Sequence, residues 1–512
     1  MSTRGIIRPG RNCRVLREVD SSGVLIDGRD YYRVFYHAAR QARNYILISG
    51  WQFDSGVRLL RGDDHKDARE ETRFLNFLNT LCEKNPGLRI YILAWNFSYI
   101  FILDREWMQK RIFSRANPRI SFHFDSRHAF AASQHQKFVV IDGYASFVGG
   151  MDICSSRWDD RRHDLGNPHR VDAGGRSYGP YHDVNSYVTG PAVEALTGIF
   201  RSRWLDTTGE ELDLQPPRKA DFIPGEDIGV TLPAGKVAVS RTQARSLARL
   251  KTSVREIRSL YIDAIRSARS LIYIENQYFS SYAVYRALVK KMKSASPGLQ
   301  LVMVLPKKEQ TLLENIYVGV AQTRLLKSLR RVARRRGHSL GIYYPAVRSK
   351  KGHEAPVFIH SKLMAVDDRF LTIGSANANN RSMGLDTELN LAWEAKGEGQ
   401  KDLADSIRKL RVELLSEHTG FNTKSVLDAL GRADGLVGYL DAVSRSSASR
   451  LRRHRMRRSF YLSRVLRYLK LDRIILDPER AVIDENIIAV VSPVRESAYK
   501  RGVGLIKRLI KR

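Results

Sequence analysis

The octapeptide running from His135 through Lys137 to Asp142, HQKFVVID, has a counterpart in HSKLMAVD, from His360 through Lys362 to Asp367. Both read H-x-K-x-x-x-x-D, and they begin 225 residues apart (135 to 360). A glycine-containing segment follows each at the same distance: GGMD from Gly149 to Asp152, and GSAN from Gly374 to Asn377. One such octapeptide arises readily by chance. Two with matched flanks point to a duplicated unit, and that limits what the chain can become. It must build two similar bodies, each supplying half of one site.

The duplication extends beyond the octapeptides. ARNYILI (Ala42 to Ile48) runs into Trp51 and Phe53, and ARSLIYI (Ala268 to Ile274) runs into Tyr278 and Phe279. Each ends in an apolar, β-branched run of the kind that forms a buried strand. PGLRIYILAW (Pro86 to Trp95) matches PGLQLVMVLP (Pro297 to Pro306), where Pro-Gly ends a helix and a strand begins. A third strand is expected around Ile120 to Phe124 and around Leu340 to Tyr344, ahead of the His-Lys strand. Strands alternating with helices predict an α/β layered fold: two tandem α/β units related by a pseudo-twofold axis, with the active site between them. The expected layout is a first half over 1–210, a surface linker over 211–245 rich in proline, a second half over 246–422, and a basic region over 423–512.

With 86 Lys and Arg against 54 Asp and Glu, the net charge is +32. Such a field attracts polyanions, either nucleic acid or an anionic membrane face. The tail YKRGVGLIKRLIKR sets Val503, Ile506 and Ile510 on one helical face among basic residues, a pattern suited to lying on an anionic membrane or to packing on the protein itself. Each Lys or Arg near such a surface contributes ~1 kcal/mol, so a handful suffices for reversible docking. No apolar stretch is long enough to span a bilayer, and the first residues lack the apolar core of a signal peptide. The expected location is the cytoplasm, with peripheral membrane attachment. Cys13, Cys82 and Cys154 are scattered and odd in number, which predicts buried, inert thiols.

If the two His-Lys strands meet across the axis, His135 and His360 face one pocket. One imidazole can attack phosphorus while the other protonates the leaving oxygen. Lys137 and Lys362 can hold the non-bridging oxygens, and Asn377 can add a hydrogen bond. The scheme needs no metal or cofactor, and no Asp/His cluster shows metal-ligand spacing. A nucleophilic imidazole needs a partner on its other nitrogen. Glu388 in DTELNLAW and Asp183 in HDVNSYV occupy matching places, and the expectation is that Asp183 orients His135 and Glu388 orients His360. The first-half interval is longer because an Arg- and Gly-rich insertion, about residues 155 to 180, intervenes. Asp142 and Asp367 stand an odd number of residues past their lysines, on the opposite strand face, and are expected to be structural. The halves differ at Gly150 against Ser375 and at Asp152 against Asn377, which predicts one asymmetric site.

These motifs resemble the phospholipase D superfamily, whose hallmark is a pair of H-x-K-x-x-x-x-D motifs. The resemblance covers roughly residues 10 to 425. It includes IENQYF (Ile274 to Phe279), GGMDICSSRWD (Gly149 to Asp159), YHDV (Tyr181 to Val184), NRS (Asn380 to Ser382) and DTE (Asp386 to Glu388), which are similar to elements of true phospholipases D. It implies hydrolysis of a phospholipid such as phosphatidylcholine to phosphatidic acid and a free head group, and transfer to alcohols. It also implies His135 as nucleophile and His360 as acid. Trp51, Gln277, Tyr278 and Ser375 are expected to contact substrate. The compact layout, without room for lipid-targeting modules in the first 30 residues, resembles bacterial members, and a monomer is expected. Two other readings remain open: a cardiolipin synthase-like transferase, and a nuclease whose charge serves a nucleic-acid backbone.

Overall fold

A computed structural model describes residues 5–96, 106, 108–129, 132–220, 228–245, 252–308, 312–430, 435–455 and 477. Two large sheets organise the chain. The first runs, edge to edge, Val230–Thr231, Ser21–Ile26, Val184–Thr189, Ala145–Gly149, Phe138–Ile141, Tyr45–Gly50, Arg89–Trp95 and Ile120–Asp125. The main path of the second runs Val15–Glu18, Lys236–Gln243, Glu388–Glu394, Phe370–Gly374, Lys362–Val366, Leu271–Asn276, Gln300–Val304, Ser339–Arg348 and Glu354–Pro356.

From Ser21–Ile26 in the first sheet and Lys236–Gln243 in the second, the strand order is the same. So is the pattern of pairing, with antiparallel ladders up to the Tyr45 and Leu271 strands and parallel ladders beyond. The register repeats too: Ile46 opposes Ile141 where Ile272 opposes Val366, and Gly149 opposes Asn185 where Gly374 opposes Asn390. Strands Tyr45–Gly50 and Leu271–Asn276 are buried along their whole length. That is why they read as unbroken apolar runs rather than alternating ones.

Part of the stretch expected as a linker is sheet. Lys236–Gln243 lies between two neighbours in the second sheet with Val237, Ala238 and Val239 fully buried, and Val230–Thr231 adds to the edge of the first. Prolines at 216, 217, 224 and 233 mask this short strand signal in a composition-based reading. Likewise, part of the basic C-terminal region belongs to the second half. Helices Thr423–Leu430 and Gly435–Val443 follow its last large helix, and Leu451–Arg453 pairs with Ser339–Arg348. The amphipathic tail over 499–512 lies outside the described residues.

The sheets share one core. Val148, Val188 and Phe200 of the first half and Leu371, Leu391 and Trp393 of the second belong to a single buried cluster, and Trp393 Nε1 donates to Ser22 Oγ across the join at 3.2 Å. Two further cores lie against the helices of each half. Burying this much apolar surface between the halves fixes their relative position, which a site shared between them requires.

Asp142 and Asp367 are part of that rigidity. Each terminates its His-Lys strand in the left-handed region (φ 48° and 52°). The Asp142 carboxylate accepts from the backbone N–H groups of Arg43, Asn44 and Tyr45, and that of Asp367 from Arg269, Ser270 and Leu271. They tie the start of one strand to the end of its neighbour. Their position in the turn after the strand, rather than on its far face, keeps them from the cleft.

Candidate active site

The histidines are brought together by strand exchange. Residues just before each histidine pair, in parallel, with residues just before the carboxylate of the other half. Phe358 and Ile359 pair with Tyr181 and His182, and Gln134 bridges Thr387. The backbone N–H of His135 donates to Thr387 O (2.9 Å), and that of His360 to His182 O (2.8 Å). Each histidine is therefore delivered to the carboxylate of the opposite half. His135 Nδ1 lies 3.0 Å from Glu388 Oε2, and His360 Nδ1 lies 2.6 Å from Asp183 Oδ2. This reverses the pairing expected from sequence. Matching positions identified the right four residues, but an alignment of repeats treats each half as self-contained and cannot register an exchange across the axis.

With Nδ1–H donated to a carboxylate, Nε2 of each ring is the nitrogen left for substrate. Both imidazoles are held well below the ordinary histidine pKa. Burial is the main cause for each. Lys137 and Lys362 add to it at His135, and Lys362, Arg157, Lys137 and His135 itself add to it at His360. Glu388 is pushed up to about 7 by burial, against the opposing hydrogen bonds of Ser375 and Ser382. Asp183 is pushed up to about 6 by burial, which the Lys362 charge opposes. Lys362 is lowered to about 7, again chiefly by burial.

The two lysines are positioned differently. Lys137 Nζ sits 3.1 Å from Asp152 Oδ2, while Asp152 Oδ1 accepts from the Trp51 backbone N–H at 2.9 Å. Lys362 Nζ donates to Gln277 Oε1 at 3.1 Å and to the carbonyl of His360. Gln277 in turn donates to the Tyr278 hydroxyl, so Gln277 links Lys362 to Tyr278. Trp51 stacks on Trp95 and lies edge-on to His135, with centroids 6.4 Å apart. Asn377 is buried with its Oδ1 unpartnered. Ser375 does not face a substrate. It is fully buried, and its hydroxyl donates to Glu388 Oε2 at 2.5 Å.

Sequence reasoning passed over Arg157, although it lies within GGMDICSSRWD. Its guanidinium stands 5.1 Å over the Tyr181 ring, whose centroid is 5.4 Å from that of His360. It is near enough to depress the histidine's pKa. The signal available was an arginine in an otherwise polar turn after the first glycine segment. Ser382, within the NRS segment, donates to Glu388 Oε1 at 2.6 Å. The three cysteines are free and buried, as expected.

Among the described residues, two groups have side chains placed so that they could hold a metal. Asp27, His163, His182 and Glu417 converge, as do His182, Glu275 and His418, with ligand atoms within 4.8 Å of one another. Spacing along the chain could not suggest this, since the first group is gathered from four distant segments.

Two imidazoles, two carboxylates and two ammonium groups brought together between two α/β halves of the same strand order suit phosphodiester chemistry. Comparison with known proteins agrees. The family described as "Cardiolipin synthase, PLD-like domain" matches residues 261–411. Phospholipase D alpha 2 of Oryza sativa subsp. japonica is 24% identical, over 81% of this chain and 68% of its own length. Phospholipase D A of Dictyostelium discoideum is 25% identical over 79% of this chain and 36% of its own. The chain thus spans between about a third and two thirds of these relatives. A crystal structure of phosphatidylserine synthase from Haemophilus influenzae superposes with a TM-score of 0.49 at 13% identity, over 84% of this chain and 94% of that one. These similarities support membership of the phospholipase D superfamily. Among the described residues no helix is long and apolar enough to cross a membrane.

Proposed function

We propose that this protein is a phospholipase D that cleaves the distal phosphodiester bond of glycerophospholipids such as phosphatidylcholine, yielding phosphatidic acid and the free head group. The observation that carries this reading is the crossed pair of histidine–carboxylate contacts, His135–Glu388 and His360–Asp183, flanked by Lys137 and Lys362.

In the first step Nε2 of His135 attacks phosphorus, the bond to the head-group oxygen breaks, and the proton on His360 Nε2 passes to that oxygen. In the second, water gives a proton to His360 Nε2 as its oxygen attacks phosphorus. The P–N bond breaks, releasing phosphatidic acid and neutral His135. An alcohol in place of water gives the transfer product. Before substrate arrives, burial and the lysines favour neutral imidazoles, which suits a nucleophile. An anionic phosphodiester beside Lys137 and Lys362 offsets the two charges that disfavour protonation, so His360 acquires its proton when it is needed. The lysines, with Arg157 and Asn377, stabilise charge on the non-bridging oxygens. The chain works as a peripheral protein, its positive charge holding it to an anionic membrane face.

The match of the second half to a cardiolipin synthase family supports a second reading, transfer of a phosphatidyl group to a glycerol-bearing lipid. Purified protein incubated with phosphatidylcholine, phosphatidylglycerol or single-stranded DNA, with and without a primary alcohol, separates the cases. Choline release with a phosphatidylalcohol supports phospholipase D. Cardiolipin from phosphatidylglycerol without choline release supports the transferase. Products from DNA alone overturn both.

A further inference from the structure

Behind Asp183 lies a buried cluster that the proposed reaction does not use. His182 precedes Asp183. Its Nδ1 makes ion-pair contacts at 2.9 Å with Asp27 Oδ1 and 2.7 Å with Glu417 Oε1 but meets no hydrogen-bond geometry. His163 Nε2 is 3.1 Å from Glu417 Oε1 and 3.6 Å from Asp27 Oδ2. Asp27 Oδ2 and Glu417 Oε2 are also without hydrogen-bond partners, and all four residues are at most 8% exposed. Unpartnered polar atoms at this depth are costly unless something satisfies them.

The outer nitrogens of both rings are secured. His163 Nδ1 lies 3.0 Å from Asp159 Oδ2, and Asp159 is clamped by Arg170 at 2.9 Å. His182 Nε2 lies 3.0 Å from Glu275 Oε2, which also accepts from Ser361 Oγ at 2.8 Å. A carboxylate on the far nitrogen of each imidazole is the arrangement that fixes tautomer and orientation in a metal-binding histidine. The histidine–carboxylate separations run from 2.7 to 3.6 Å, and the four ligand atoms lie within 4.8 Å of one another, around the spacing of about 3.4 Å between neighbouring ligands of a tetrahedral ion with bonds of about 2.1 Å. Two imidazoles and two carboxylates suit zinc and its neighbours, whereas calcium and magnesium prefer all-oxygen sets.

We propose that Asp27, His163, His182 and Glu417 bind one divalent transition-metal ion, of which zinc is the probe, buried between the halves behind the catalytic pair. Three ligands come from the first half and Glu417 from helix Lys401–Thr419 of the second, so the ion joins them. The site also gives a use to the first-half insertion, which supplies Asp159, His163 and Arg170. Asp27 takes a left-handed conformation (φ 67°), and its backbone N–H donates to Asp183 O at 2.8 Å, tying the site to the carboxylate that holds His360. The inference does not depend on which phosphodiester is cleaved.

The full chain, purified without chelator, is expected to contain about one equivalent of zinc by elemental analysis. After stripping with a strong chelator, added zinc should raise the thermal midpoint by several degrees. Added cobalt(II) should give the visible ligand-field bands of a low-coordinate nitrogen and oxygen site. The near-isosteric double variant Asp27→Asn/Glu417→Gln should lose the metal. Equal metal content in that variant overturns the proposal. So does stripped wild type that takes up neither ion and shows no cobalt bands, an outcome that does not depend on the variant folding.

Discussion

The two half-sites hold the same kind of histidine in different cradles. In one, Glu388 reaches His135 with Ser375 and Ser382 each donating a hydroxyl to its carboxylate. In the other, the shorter Asp183 reaches His360, accepts from the Val184 N–H at 2.8 Å, and packs against Gly150 where the second half has Ser375. A Cβ at Gly150 would fall 2.4 Å from Asp183 Oδ1. The glycine is there for space, the serine for a hydrogen bond. Duplication preserved strand order and register while the carboxylate supports diverged, so two equivalent positions can take different parts in one reaction.

The sharpest test removes the histidines. His135→Ala and His360→Ala should each lower kcat by at least about 10³-fold. Brief incubation with phosphorus-labelled lipid and denaturing quench should trap a phosphoenzyme in the wild type or in His360→Ala, and none in His135→Ala. Label on His135→Ala would exchange the two roles. Gly150→Ala comes next, with an expected loss of about 10²-fold in kcat at unchanged circular dichroism, because it displaces the partner of His360. Ser375→Ala removes one hydroxyl and no volume conflict, and should cost only about tenfold. If the serine variant were the worse of the two, the account of the cradles would be wrong.

The pH profile probes the same contrast. As pH falls through about 7, Glu388 takes up a proton and no longer favours charge on His135. As pH rises through about 7, Lys362 loses the charge that draws phosphate. A narrow bell in kcat/KM centred near neutrality should result. In Glu388→Gln the acid limb should no longer follow the Glu388 titration, while the alkaline limb persists. The smallest effects belong to the symmetric part of the fold. Asp142→Asn should destabilise by about 1–3 kcal/mol in denaturant unfolding, and Asp367→Asn by less, since Asp142 is buried and Asp367 is partly exposed.

Much of this was legible in the residues because a repeat reports register. Aligning Ile46 with Ile272, or Asp183 with Glu388, matched the equivalent strands and picked out the histidines, lysines and carboxylates of the site without any three-dimensional information. What an alignment cannot carry is contact between copies. Glu388 binds His135 because Thr387 pairs with Gln134, an interaction with no trace in local sequence. The strand Lys236–Gln243 was hidden by neighbouring prolines, and Ser375 looked like a substrate ligand because only its partner's depth reveals that it points inward. Arg157 and the Asp27–Glu417 cluster depend on long-range closure, which no spacing rule anticipates.

The route of the backbone through the two sheets also has a practical meaning. Val15–Glu18 lies in the second sheet before the chain enters the first, and Val230–Thr231 returns to the first sheet before the chain commits to the second. Each half lends the other a strand, like two boards joined by reciprocal dowels. A protease cutting the largely exposed stretch between residues 213 and 220 would leave two fragments that stay locked together. Neither fragment alone would own a complete histidine–carboxylate couple. The nicked protein would be a two-chain enzyme, and covalent continuity at that point is dispensable in a way that the interleaving is not.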